Sequence, residues 1–204
     1  MSNIFFQPFV GKDYGEGLFG KRIMVLGESH YCGEECADCG NCSLHRECMN
    51  FTTNVVRTYL NKEGGLWMNT YLKFERSLVG HETDSDETER IWNSILFYNY
   101  LQVAMDESRQ AGTAEQYRRA ADALFETLEK YLPEYVIVWG KRLWNNLPSE
   151  RWTDGEDIVV DGCQNATGTY TLRGGKRVKM MVVYHPSAGY SWDYWHRVIQ
   201  RFLQ

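Results

Sequence analysis

The sequence predicts an α/β protein: a three-layer α/β/α sandwich around a central four-stranded, mostly parallel sheet. Three observations lead there. Short apolar runs of strand length recur at Ile23–Leu26, Ile95–Leu101, Tyr135–Trp139 and Met180–Tyr184. Segments with helical periodicity stand between them. Strands alternating with helices favour a parallel sheet covered on both faces. No internal repeat and no linker divides the 204 residues, so one domain spanning 1–204 is expected.

The elements follow in chain order. Residues 1–22 set Phe5, Phe6, Phe9 and Phe19 among glycines, and read as an irregular arm packing aromatics on the domain. The first strand covers 22–27. A cysteine-rich loop follows over 32–48. Phe51, Val55, Val56, Tyr59 and Leu60 predict a helix over 50–62, ended by Gly64 and Gly65. Residues 66–82 fit no single template. The acidic run 82–90 reads as a solvated face, with Ser85 or Asp86 capping a short helix through Trp92. The run 95–101 is a second strand, with helix as the alternative. Residues 114–132 carry the clearest apolar stripe. Thr113 and Gln116 form a capping box before it, and Pro133 stops it. Tyr135–Trp139 is a third strand, followed by a short helix through Leu143 and Trp144. A β-hairpin is expected within 151–178, turning at Gly174-Gly175. The fourth strand covers 179–184. The last helix starts after Ser191 and buries Trp192, Trp195, Val198, Ile199, Phe202 and Leu203.

Composition narrows the function classes. Hydrophobic residues make up 43% and charged residues 24% of the chain, which also carries 7 Trp and 13 Tyr, the balance of a globular protein. The net charge of −5 argues against a generally basic nucleic-acid-coating surface and leaves room for a local patch. No apolar run of 18 residues occurs, so no spanning helix and no membrane partner are expected. The start of the chain has neither a basic stretch nor a long apolar core, so a cytoplasmic location is expected. A monomer is the default.

Polar residues gather where strands end. Gly27, Glu28, Ser29, His30 and Tyr31 follow the first strand, Asn99 sits in the second, and His185, Pro186 and Ser187 follow the fourth. In open α/β sheets that edge binds ligands. A Glu there can equally be a helix cap or a surface charge, a His before Pro a satisfied loop residue, and Asn99 a turn amide. Together these residues resemble the uracil-DNA glycosylase superfamily. That family has a Gly-Gln-Asp-Pro-Tyr or Gly-Glu-Ala-Pro-Gly motif after its first strand and His-Pro-Ser after its last. The two motifs stand about 155 residues apart here, similar to the family's spacing. The resemblance implies hydrolysis of the N-glycosidic bond of a uracil or modified base flipped out of single- or double-stranded DNA. It implies Glu28 and His185 as catalytic residues. Gly27, Ser29, Tyr31, Phe51, Asn99 and Ser187 would line the base site, with Phe51 stacking on the base or serving as a helix core residue. Ser29 stands where the family has aspartate, and His30 where it has proline. A binding module of the same fold, holding a base without cleaving it, is the alternative.

Five of the six cysteines fall within 17 residues: Cys32, Cys36, Cys39, Cys42 and Cys48. Thiolates at such spacings share a metal ion. Structural zinc on four of the five is favoured over an iron–sulfur cluster. Cys32, Cys36 and Cys39 also resemble a radical-SAM signature, without the aromatic that usually precedes its third cysteine. Cys163 stands apart and reads as a buried small hydrophobe. Arg173, Lys176, Arg177 and Lys179 make a basic stretch for phosphate contacts or a solvated hairpin. By the resemblance, Tyr190 occupies the place of a wedge into DNA.

Overall fold

The structure, a computed structural model, describes residues 2–32 and 47–204. Nine strands occur among them: β1 (Phe9–Val10), β2 (Ile23–Gly27), β3 (Leu96–Asn99), β4 (Tyr135–Trp139), β5 (Trp152–Asp154), β6 (Ile158–Val160), β7 (Cys163–Asn165), β8 (Thr167–Thr171) and β9 (Arg177–Val183). Six α-helices accompany them: α1 (Phe51–Leu60), α2 (Met68–Val79), α3 (Ser85–Asn93), α4 (Ala114–Tyr131), α5 (Lys141–Asn145) and α6 (Trp192–Phe202).

The class is α/β, and the sheet is larger than expected. It is a mixed, seven-stranded sheet in the order β1-β3-β2-β4-β9-β8-β5. β2 pairs in parallel with both β3 and β4, and β4 in parallel with β9. Antiparallel strands extend both sides: β1 on β3, and β8 then β5 beyond β9. The N-terminal arm is therefore not wholly irregular, because Phe9 and Val10 pair with Phe97 and Leu96. β6 and β7 form a separate hairpin.

Period two divides the core. Ile23, Val25, Phe97, Ile137, Trp139, Met181 and Val183 face one way and pack with α1, α2, α3 and α6. Met24, Leu26, Tyr98, Val136, Val138 and Met180 face the other way and pack with α4 and α5. Strands buried on both faces read as unbroken apolar runs for this reason.

Local chemistry sets the helix ends. The capping box of α4 forms: Thr113 Oγ1 accepts from Gln116 N at 3.2 Å, and Gln116 Oε1 accepts from Thr113 N at 2.7 Å. α3 is capped by Asp84, whose Oδ1 accepts from Glu87 N at 2.9 Å; Ser85 and Asp86 lie inside its first turn instead. The ambiguous segment after residue 66 becomes α2, ended by Gly80 at φ 82°. The expected turn after β8 forms, with Gly175 at φ 79°. Trp192 is only half-buried at the start of α6, and Cys163, expected in the core, is exposed on β7.

Candidate functional site

Parallel pairing brings the C-terminal ends of β2, β3, β4 and β9 to one sheet edge. Gly27 pairs in register with Asn99. Gly140 N donates to Val183 O at 2.9 Å, joining the ends of β4 and β9. Residues far apart in the chain thereby become neighbours.

Glu28 leaves β2 and meets two partners that the sequence reading did not single out. Arg142 Nε donates to Glu28 Oε1 and Oε2 at 2.8 and 3.0 Å, and Arg142 Nη2 donates to Oε2 at 2.5 Å. The Tyr117 hydroxyl donates to Oε1. Burial, then the hydrogen bond to Glu28, pushes that hydroxyl up to about 12. The same guanidinium reaches the carbonyls of Arg109 and Gln110, at 2.9 and 3.3 Å. A planar fork with five donors suits this: it grips a carboxylate and two carbonyls at once. Arg142 follows a strand-ending Gly140, which is a signal of position. Tyr117 gave no signal, because it counts as one more apolar position on the stripe of α4.

His185 stands half-buried at the same edge, near enough to Glu28 and Arg142 to feel their charges, its ring 5.9 Å from that of Trp139 and edge-on to it. Its Nδ1 accepts from Ser187 N at 3.2 Å and lies 2.8 Å from Ser187 Oγ. A backbone N–H only donates, so Nδ1 keeps its lone pair and a neutral ring carries its proton on Nε2. Burial holds His185 below the usual imidazole range. The Glu28 charge opposes that shift, and the Arg142 and Arg109 charges reinforce it.

A second polar group lies beside Gly27. His30 is buried, and its Nε2 is 2.9 Å from Thr52 Oγ1. Asn99 Nδ2 lies 3.1 Å from both Nδ1 and Nε2 of the same ring. Phe51 stacks on the imidazole, with centroids 4.5 Å apart and planes at 14°. Phe6 meets it edge-on at 4.9 Å. Burial drives this histidine down to about 3, so it is a neutral ring.

The other expected site residues are scattered. Ser29 is half-buried, and Tyr31 is exposed and bridges to Met105. Ser187 is exposed on the loop that holds His185. The basic stretch lies elsewhere. Arg173 and Lys176 sit in the turn before β9, with Arg177 at its first residue, so they occupy the opposite edge from His185. Seven residues of strand span roughly 20 Å. Lys176 Nζ donates to Leu132 O at 2.6 Å, capping the end of α4. Tyr190 is buried rather than presented as a wedge: its hydroxyl is 2.7 Å from Ser77 Oγ, and its ring stacks on Trp195. Cys32 and Cys48 pack against the same small cluster around Phe6 and Ala104. Cys36, Cys39 and Cys42 lie outside the described residues. Among the described residues, no three His, Cys, Asp or Glu side chains gather in a way that could hold a metal ion. No helix among them is long and apolar enough to cross a membrane.

No protein-family model and no curated protein matches the chain in sequence.

Proposed function

We propose that the chain is a DNA glycosylase-like protein of the uracil-DNA glycosylase type, acting on a uracil or modified base flipped from DNA. The run β3-β2-β4-β9 is the part of the sheet that we assign to that family's parallel core. One observation carries the reading: His185, within reach of the Glu28 charge, has Nδ1 engaged by Ser187, which leaves a neutral Nε2–H as a donor.

The chemistry needs that donor. As the bond between C1′ and the base nitrogen breaks, its electron pair passes to the base and charge builds on a base carbonyl oxygen. A neutral N–H aimed at that oxygen stabilises it. Water adds to C1′ and gives up a proton, and the base takes one up. Glu28 supplies negative charge near the cation-like sugar. Its oxygens already accept from Arg142 and Tyr117, so it acts as a fixed charge and not as the base that activates water. Four of the five clustered cysteines would hold a structural zinc, which contributes stability and no chemical step.

Oligonucleotides carrying uracil, hydroxymethyluracil, hypoxanthine or a bulky modified base, assayed for abasic sites, test the reading. His185→Ala should slow cleavage about 10²–10³-fold, the usual effect of losing one such donor, while binding changes much less. The occupied lone pairs of Glu28 and the serine at position 29 favour a second reading, a module that binds a base without cleaving it. Binding with no abasic sites on any substrate would select that second reading.

A further inference from the structure

We propose that His30 is an internal occupant of the nucleobase slot, which a flipped base must displace in order to bind. The inference rests on the reading of this edge as a base site, and it adds a gate that the reading lacks.

The observations concern what surrounds the ring. A planar nitrogen heterocycle is held by an aromatic face and by hydrogen bonds at its edge, and those are the contacts by which proteins hold an extruded base. His30 has both. Phe51 stacks on it almost parallel, Asn99 Nδ2 approaches its nitrogens, and Thr52 Oγ1 meets Nε2. Two neutral tautomers fit: with the proton on Nε2, Asn99 donates to Nδ1 and Nε2–H donates to Thr52; with it on Nδ1, Asn99 and the Thr52 hydroxyl donate to Nε2. A base offering a carbonyl or ring acceptor to Asn99 and an N–H to Thr52 would satisfy the same groups.

The slot is also prepared for a ring. A Cβ on Gly27 would stand 2.1 Å from Asn99 Oδ1, so the absent side chain is what lets the carboxamide lie there. The backbone of His30 is pinned: Met105 N donates to its carbonyl at 2.7 Å, and Cys32 N donates to Met105 O at 3.1 Å. With the backbone held, the displacement we propose is a rotation of the His30 side chain. Ligand and imidazole compete for one volume, so the wild-type affinity is reduced by the fraction of time that the slot stands empty.

The test compares the wild type with His30→Ala for binding of free uracil, hypoxanthine and imidazole by calorimetry. The variant should bind at least one of them about 10- to 100-fold more tightly, the penalty for a slot open roughly 1–10% of the time. Adding Asn99→Ala should abolish the gain. A folded His30→Ala that binds none of the three more tightly than the wild type overturns the proposal, as does a gain that survives Asn99→Ala. If His30→Ala does not fold, the wild type decides. Its His30 ring proton resonances, shifted by the Phe51 ring, should move toward exposed values as uracil is titrated to saturation, and unmoved resonances at saturation overturn the proposal. The abasic-site assay is a separate readout: tightened binding without cleavage would leave the gate standing and remove the glycosylase reading.

Discussion

At the scale of the residue, the decisive position is a glycine. Gly27 ends β2 beside its register partner Asn99, and a methyl group there would overlap the carboxamide oxygen at 2.1 Å. The oxygen belongs to a short side chain on a buried strand, so it cannot move aside freely. Gly27→Ala should therefore cost about 1–3 kcal/mol, the range for overpacking in a closed core, read as a lower urea midpoint. It should also pull Asn99 away from His30, read as a change in the His30 ring resonances. Unchanged stability together with unchanged resonances would mean that the carboxamide does not lie over Gly27.

At the scale of the element, Glu75 ties three helices together. It is fully buried on α2. It accepts from Tyr59 of α1 at 2.7 Å, from Thr88 and Trp92 of α3 at 2.7 and 2.9 Å, and from Thr83 in the link between α2 and α3. A buried carboxylate survives because four neutral donors replace its water. Glu75→Ala would leave those donors unsatisfied and should cost about 3–5 kcal/mol. Glu75→Gln should cost less, because one oxygen still accepts. Urea unfolding checks both, and a loss below about 1 kcal/mol for the alanine variant would show that water reaches the site. α1 carries Phe51 and Thr52, so loosening this bundle should also weaken the slot around His30.

At the scale of the whole molecule, the cysteine segment joins β2 to α1, two of the elements around that slot. Its end residues, Cys32 and Cys48, pack on one cluster, and we propose that a metal ion held by the clustered thiolates closes the segment as a clip. Metal analysis should find one zinc per chain. Chelation should lower the melting temperature, because the binding free energy is then part of the folding free energy. A brown protein would replace zinc with an iron–sulfur cluster. Metal-free protein with freely titrating thiols would remove the clip altogether.

Local order was legible in the sequence because its causes are local. Apolar runs marked the parallel strands, period 3.6 marked α4, and Thr113 with Gln116 marked its start. Strand ends marked Glu28, Asn99 and His185 for one edge of the sheet, since parallel strands end together there. What only the tertiary structure decided was partnership and direction. Period two cannot say that Tyr117 turns its hydroxyl to Glu28, or that Arg142 rather than a basic hairpin supplies the cation there. A run of cations has no address until the hairpin's direction puts it at the far edge. Tyr190 and Cys163 carry no local mark of depth, and the fold buries the first and exposes the second. Nor does a histidine after a strand reveal whether it will face solvent or fill a slot between Phe51 and Asn99. That depends on contacts between residues dozens of positions apart, and such contacts exist only once the chain has closed.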